Sequence, residues 1–555
     1  MNSADILGTN LQAVHPFSFV LPLKANPADL VASLTSTPPS TADTTGAVKL
    51  INGNVECTSC HNPHVQNIDP NSSFLVINNS TSALCLACHS TIPSGSGMGM
   101  AVAATETAAR IGTGAAQITG RISDRINPLE GWKASIHATA SNRVAGQVSL
   151  DAYSASAATT EKRVTLGPYS TVAQNGCLSC HTPHNAKSPA SLLRGSSDQA
   201  CIVCHAGSPN VAPAAPDVLA EMSLPKVGHS FPQATHPHQA SESALLNQNR
   251  HANCVDCHNA HSSSRVTVFE GAPDMRRSQG RVEGISAADG TSVLNPAVNQ
   301  YENCLRCHGT STGKVVSPTF GYAPVRAVSA LDPLNVIPQF SVIASSSHPV
   351  MHDRSSPYPQ PSLRANMLDL DGSTPGRSMG IRILCTDCHN SDDNREFGGR
   401  GPNGPHGSAY SHILERRYEF SQTSVPGRPI TNLFQSPNIS AAGGANGGPY
   451  ALCAKCHDLT RVLSNSSFSE HARHVKQDGF SCSVCHTAHG MGAHVATDSG
   501  ERLVNFDVNV VAPNGPTPIG YSRASNSCSL VCHGVTHKLA GTAPTKPASP
   551  RARGQ

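Results

Sequence analysis

The sequence predicts a fold that is mostly irregular coil, with short α-helices and few β-strands. It also predicts that the chain is built from five copies of one repeated unit. Three observations lead to this prediction. Only 38% of the 555 residues are hydrophobic and 4% are aromatic, which is few for an ordinary core of this size. The chain has 45 glycines and 41 prolines, which interrupt helices and strands. All 20 cysteines lie in ten Cys–Cys–His clusters, so we expect bound groups to fill much of the interior.

The clusters have a spacing that identifies their chemistry. Nine are CxxCH, and the tenth, CSLVCH at 528–533, has one extra residue. Chance would give roughly 0.04 CxxCH motifs at these residue frequencies. Zinc sites, redox dithiols and disulfide frameworks do not need a histidine directly after the second cysteine. CxxCH is the attachment signature of c-type haem, in which two thiols bond the vinyl groups and the imidazole binds the iron.

The sequence therefore predicts ten covalently bound haems. We expect each motif on a short helical turn, because cysteines three or four residues apart share a helix face. The cysteines predicted to form thioether bonds are Cys57, Cys60, Cys85, Cys88, Cys177, Cys180, Cys201, Cys204, Cys254, Cys257, Cys304, Cys307, Cys385, Cys388, Cys453, Cys456, Cys482, Cys485, Cys528 and Cys532. The predicted proximal iron ligands are His61, His89, His181, His205, His258, His308, His389, His457, His486 and His533.

The ten motifs fall into five successive pairs, each with an opening and a closing motif. Four opening motifs are followed, three residues later, by a trailing histidine, and no closing motif is. The fourth opening motif lacks it, and we expect His406 in a glycine-rich loop to replace it. The predicted organisation is an N-terminal segment at 1–50, dihaem modules at 51–90, 131–206, 227–310, 345–460 and 466–537, a linker at 91–130 and a disordered tail at 538–555.

Each iron has a second axial position, and 18 histidines outside the motifs can fill it. A trailing histidine cannot easily reach the iron of its own motif, so we expect it to bind the partner haem of its pair. The second set of candidates lies upstream of each pair. The ten predicted distal ligands are His15, His64, His137, His184, His229, His261, His348, His406, His474 and His489.

Some of these assignments have alternatives. His471 competes with His474, and His251 and His412 are the leading substitutes elsewhere. We expect the remaining histidines, His236, His238, His352, His494 and His537, on the surface.

From about residue 50 to 537 the chain resembles multihaem c-type cytochromes of the doubled-CxxCH type. The segments "CTDCHNSDDNREFGG…GPNGPHGS" and "CSVCHTAHGMG" carry the resemblance along with the motifs. The family implies bis-histidine haems, little regular structure and closely stacked porphyrins, and some relatives form extracellular filaments. The extra residue in CSLVCH and the missing trailing histidine after Cys388 depart from the pattern.

The expected function is electron transfer by haem-to-haem hopping in anaerobic or extracellular respiration, without substrate chemistry. The alternative is a multihaem reductase of nitrite, hydroxylamine or sulfur oxyanions, which needs an iron with an open face. All ten motifs end in histidine, and histidines are in excess of the ten distal positions, so the carrier is favoured.

Covalent haem attachment implies export to the periplasm, the outer membrane or the cell exterior. The first residues lack a basic region and an apolar signal core. Either a signal was removed or the sequence is an N-terminally truncated piece of a longer chain, and we favour truncation. No apolar run is long enough to span a membrane. Expected partners are other cytochromes, an outer-membrane electron conduit or further copies in a filament. The sequence has no basic patch with interleaved aromatic residues, so we do not expect a nucleic-acid partner.

Overall fold

The computed structural model describes most of the chain around the motifs. The described ranges are 14–20 (without 16), 48–89 (without 65–67 and 73), 131–149 (without 145–147), 163–229 (without 165–166, 188–191, 196–197, 208–209 and 224), 252–310 (without 265–270), 324–328, 335–353, 362–418, 449–492 and 501–538 (without 533). The predicted linker at 91–130, almost all of the predicted tail, and His236, His238, His251, His494 and His533 lie outside them.

Helices are short, as the sequence predicts. Those that carry motif residues are Cys57–Cys60, Ala83–Leu86, Gln199–His205, Cys254–Cys257, Gln300–His308, Ala451–Ala454 and Cys482–Cys485, with 3₁₀ turns at Gly176–Ser179 and Cys385–Asp387. The other α-helices are Ile136–Thr139, Val172–Asn175, Val218–Met222, Ile337–Phe340 and Leu459–Leu463. Further 3₁₀ turns are Ser80–Ser82, Trp132–Ala134, Arg277–Gln279, Arg395–Phe397, Ser411–Ile413 and Glu501–Leu503, and a π-helix spans Ala472–Gln477.

The strands form small antiparallel sheets. Six two-stranded sheets pair Phe19–Val20 with Asn54–Val55, Arg143–Val144 with Val211–Ala212, Val148–Ser149 with Arg163–Val164, Val227–Gly228 with Gly407–Ser408, Gly284–Ile285 with Val293–Leu294, and Asn366–Leu368 with Pro375–Ser378. One four-stranded sheet joins Val511–Ala512, Ser527–Cys532, Gly520–Ser522 and Val535–His537. The prediction of coil with short helices and few strands is confirmed.

All nine CxxCH motifs lie on a helical turn, which confirms the prediction for them. The turn is closed by the amide of the motif histidine, which donates to the carbonyl of the first cysteine; for His61 and Cys57 the N···O distance is 3.0 Å, and for His389 and Cys385 it is 2.9 Å. This bond brings the two cysteines and the histidine onto one turn, as attachment to a single haem requires.

A second local feature follows four of the five opening motifs. The motif histidine forms an isolated β-bridge with an apolar residue further along the chain: His61 with Leu75, His181 with Leu193, His389 with Leu414 and His486 with Val504. In each case the residue before the bridge has a positive φ, as at Phe74 (63°) and Leu503 (62°). This strained backbone recurs because it turns the chain back onto the motif.

The tenth cluster differs from the prediction. Cys528 and Cys532 lie on the strand Ser527–Cys532, not on a helical turn. On a strand, residues four apart face the same side but their Cα atoms are about 13 Å apart, more than twice their separation on a helical turn. The reason is the neighbouring strands, Gly520–Ser522 and Val535–His537, which hydrogen-bond with this segment on its two edges.

Buried side chains form small clusters, mostly in the second half of the described chain. One contains Phe340, Met367 and Phe397, and another contains Phe506 and Tyr521. Between them runs a cavity of about 2970 Å³, whose lining extends from Ile136 to Lys538. Within the described ranges, no helix is both long and apolar enough to cross a bilayer.

Candidate haem-binding sites

The cavity is lined by cysteines and histidines of the second to fifth pairs. A bis-histidine haem site needs two imidazoles on opposite sides of one iron. With metal–nitrogen bonds of about 2 Å, the ring centroids are then about 6 Å apart. Within the described part of the chain, pairs of histidines with centroid separations of 6.0–6.4 Å include His15–His89, His61–His184, His137–His205, His181–His261, His258–His406, His389–His489, His471–His486 and His474–His537. The separations of these histidine pairs therefore fit bis-histidine haem.

The trailing histidines face a different motif from the expected one. His184 faces His61, and their ring centroids are 6.0 Å apart. His261 likewise faces His181 at 6.1 Å. Each therefore lies opposite the opening motif of the preceding pair, not the closing motif of its own. The expectation that His184 would face His205 is wrong, because sequence proximity within a pair does not determine which imidazoles meet.

His406 and His489 also face the opening motif of the preceding pair. His406 faces His258 at 6.0 Å, with the rings only 12° from parallel, and His489 faces His389 at 6.0 Å. His406 does substitute for a trailing histidine, but at the opening motif of the third pair. The expectation that it serves its own pair is therefore wrong.

The upstream histidines face closing motifs. His15 lies 6.4 Å from His89, and His137 lies 6.3 Å from His205. For the fourth pair, burial and then the nearby His348 imidazole lower the pKa of His457 to about 4, so these two imidazoles are neighbours. His229 is half-buried, and its Nδ1 contacts the carbonyl of Pro405 at 3.0 Å.

The last pair uses two neighbouring histidines. His471 faces His486 at 6.3 Å, and His474 faces His537 at 6.1 Å, so the two competing candidates have separate partners. The expectation that His537 is a surface residue is wrong. His533, the predicted proximal ligand of this site, lies outside the described residues.

His64 is the exception among the trailing histidines. Its side chain is exposed, and its backbone amide donates to Asn62 Oδ1 at 3.0 Å. His261 makes the same turn with Asn259, also at 3.0 Å. The expectation that His64 binds the partner haem of its pair is therefore wrong: the rule that governs the others directs a trailing histidine to the preceding pair, and the described chain has no pair before the first.

Hydrogen bonds at Nδ1 orient many of these imidazoles. The Nδ1 atoms of His205, His258, His389 and His486 contact the carbonyls of Pro216, Ser278, His412 and Arg502 at 2.8–3.3 Å. A proton at Nδ1 leaves Nε2 as the free lone pair, which is what an axial ligand needs. His412, predicted as a substitute ligand, contributes its carbonyl here.

The upstream histidines use Nδ1 to connect successive pairs. His137 donates to the carbonyl of Ala260, at 3.0 Å, and His348 to that of Ala488, at 2.6 Å. Both carbonyls belong to the residue just before a trailing histidine, and His229 makes the same contact with Pro405, before His406. Two candidate distal ligands are thereby held together at each junction.

The cysteine clusters are neighbours in chain order. Between pairs, a hydrogen bond with the Cys177 thiol is the first cause of the raised pKa of Cys85, and Cys385 has the same effect on Cys304. Within a pair, burial and then Cys201 raise the pKa of Cys180 to about 12. These sulfurs would be thioethers in the loaded protein, so the shifts identify neighbouring cysteines and describe no titration of the loaded protein.

Sequence reasoning missed several aromatic residues that pack on the distal histidines. Trp132 lies 6.0 Å from His261, Phe340 lies 5.1 Å from His489 and Phe468 lies 5.3 Å from His471, measured between ring centroids. Aromatic residues are scarce in this chain, and that scarcity was the available signal.

One family model matches the chain. It is described as the doubled CXXCH motif, and it matches residues 50–93 and 170–209, which contain the first two pairs. No curated protein and no solved structure matches the chain. The CxxCH motifs indicate covalently bound haem c. The resemblance to multihaem c-type cytochromes with the doubled CxxCH motif is thereby confirmed.

Proposed function

We propose that the chain is a decahaem c-type cytochrome, built from five two-haem repeats, that carries electrons along a single row of sites. The observation that supports this most is the succession of neighbouring cysteine clusters in chain order. The clusters of Cys201 and Cys254, of Cys304 and Cys385, and of Cys453 and Cys482 continue the row across pair boundaries.

The chain's own residues determine what such a row can do. Bound haem would supply one-electron oxidation and reduction, and a histidine on each face leaves no iron position open for a substrate. The Nδ1 contacts fix the histidines, and the trailing histidines connect each pair to the one before it. We retain the predicted module boundaries in this proposal. Candidate ligands nevertheless reach between modules, since His184 of the second module faces His61 of the first.

The proposal includes nine of the ten motif histidines, with His537 in place of His533 opposite His474. It also includes nine of the ten distal candidates, with His471 in place of His64. It also includes export, to the periplasm or outside the cell, and other cytochromes, an outer-membrane conduit or further copies as partners. The covalent attachment chemistry supports export, and the row of sites supports exchange with another electron carrier.

Electron paramagnetic resonance of the oxidised protein, with and without nitrite, tests the function. A carrier with histidine on both faces of every iron gives only low-spin signals, which nitrite does not change. A high-spin signal that shifts with nitrite would show an open iron and favour the reductase. Intact mass tests the cofactor number, since ten haems must be added to the apoprotein mass of 57.8 kDa.

A further inference from the structure

Two of the five closing motifs carry a basic residue just before their second cysteine. These are Arg306 in CLRCH and Lys455 in CAKCH, and their exposed fractions are only 6% and 1%. The opening motifs of the same two pairs carry aspartate at the same position, Asp256 in CVDCH and Asp387 in CTDCH. The motifs of the other pairs, CTSCH and CLACH, CLSCH and CIVCH, and CSVCH and CSLVCH, have no charged residue there.

The basic side chain makes the same contact in both pairs. Arg306 Nη1 donates to the carbonyl of Asp256 at 2.8 Å, and Lys455 Nζ donates to the carbonyl of Asp387 at 2.7 Å. We call this contact the clamp. The two aspartate carboxylates also accept a backbone amide at the start of their own turn, from Asn253 and from Leu384, each at 2.8 Å. The clamp therefore holds a cation of the closing motif against the opening motif.

In the fourth pair the cation is fixed on several sides. Lys455 Nζ also donates to Glu415 Oε2 at 2.8 Å, and it lies 3.6 Å from the centroid of the Phe397 ring. Arg416 Nε donates to the other oxygen of Glu415, at 2.8 Å. All four residues are at most 1% exposed, so salt screens these charges little.

The clamp cation lies close to the predicted thioether sulfurs. Lys455 directly precedes Cys456 of its own motif. Its Nζ donates at 2.7 Å to the carbonyl of Asp387, the residue directly before Cys388 of the opening motif. The positive charge is therefore placed between the two sites of the pair, where burial keeps its influence strong.

We propose that Arg306 and Lys455 raise the reduction potentials of the haem sites in the third and fourth pairs. The inference rests on the proposed function. Reduction adds one electron to a site, from Fe(III) to Fe(II), and a fixed buried cation nearby lowers the free energy of that added charge. In the sequence, only the third and fourth pairs carry these motif residues, so the clamp acts on potentials in the middle of the row.

The test is a redox titration of the haem-loaded protein, followed by visible absorbance with dithionite as the reductant. In Lys455→Met, the part of the titration that belongs to two of the proposed ten sites should move to lower potential. Lys455→Arg keeps the charge and should titrate like the original protein. Arg306→Met and Arg306→Lys should show the same contrast for the third pair. Lys133→Met, which removes an exposed cation, is the matched control and should change nothing.

A second variant distinguishes an electrostatic role of Lys455 from a purely structural one, because it compensates the lost charge. Lys455→Met with Glu415→Gln removes one charge of each sign, so the potential should return toward the original value. A double variant shifted as far as the single one, or a fully haem-loaded Lys455→Met with an unchanged titration, would overturn the proposal. If Lys455→Met does not fold, Glu415→Gln alone decides: it keeps both cations and must raise the potential. Haem content is measured first, since a protein without covalent haem contradicts the proposed function itself.

Discussion

At the residue scale, one hydroxyl joins the first pair to the start of the second. Tyr169 donates a hydrogen bond to Asp69 Oδ2, and both residues are buried, with exposed fractions of 7% and 2%. The backbone amides of Asn71 and Asn79 also donate to Asp69, at 2.9 and 2.8 Å. Burial and this hydrogen bond raise the pKa of Tyr169, so the hydroxyl remains a donor.

Tyr169→Phe should therefore destabilise this junction. It removes the donor to a buried carboxylate, and hydrogen bonds to charged groups are worth about 1.5–3 kcal/mol. The measurement is the free energy of unfolding in denaturant at neutral pH. Tyr521→Phe is the matched control: its half-buried hydroxyl bonds the neutral Asn526 amide at 3.0 Å, so its loss should cost about 0.5–1.5 kcal/mol. Equal effects would mean that the bond to Asp69 has no special weight.

At the element scale, the turn of a CxxCH motif could be predicted because its contacts are local. The bond from the motif histidine to the first cysteine spans four residues, and nine motifs form it or a close variant. The end of the 3₁₀ turn Ser411–Ile413 could not be predicted from local preference, because Leu414 bridges to His389 from outside the segment. The strand that carries Cys528 could not be predicted either, since its pairing with neighbouring strands outweighs the local preference of the motif.

The last strand gives the second prediction. Val535–His537 pairs with Ser527–Cys532, which brings the His537 imidazole opposite His474. His537→Ala should therefore open an iron at the tenth cluster and give a high-spin signal in paramagnetic resonance. His352→Ala is the control, because that imidazole bonds the Ser347 hydroxyl at 2.6 Å and faces no motif histidine in the described chain. Identical low-spin spectra from both variants would contradict this prediction and mean that His537 binds no iron.

At the scale of the whole molecule, the histidines connect the pairs into one chain of sites. His261, a trailing histidine, faces the opening motif of the preceding pair. His137, an upstream histidine, faces the closing motif of its own pair and donates a hydrogen bond to the residue before the next trailing histidine. The sequence predicted histidines that do meet another histidine. In the described chain seven of the ten distal candidates face one: His15, His137, His184, His261, His406, His474 and His489. The sequence could not give their partners, because His61 and His184 meet across a long insertion whose path no local pattern determines.

The register of the trailing histidines is tested by comparing His184 with His64. His184→Ala should open the site of Cys57 and Cys60, because its ring faces His61. His64 is exposed in the same sequence context, so His64→Ala should open no iron of this chain. The measurement is the high-spin signal of the oxidised protein, with carbon monoxide binding to the reduced protein as a second readout.

Removing one attachment site identifies the open iron. In a background that lacks Cys57 and Cys60, the high-spin signal of His184→Ala should disappear, because its haem is no longer bound. In a background that lacks Cys201 and Cys204, it should persist. The opposite pattern would support the alternative in which His184 binds the other haem of its own pair. A high-spin signal in His64→Ala would mean that His64 binds an iron of its own chain. The geometry favours the first result, since the His61 and His184 rings lie 26° from parallel and 6.0 Å apart, as two ligands of one iron require.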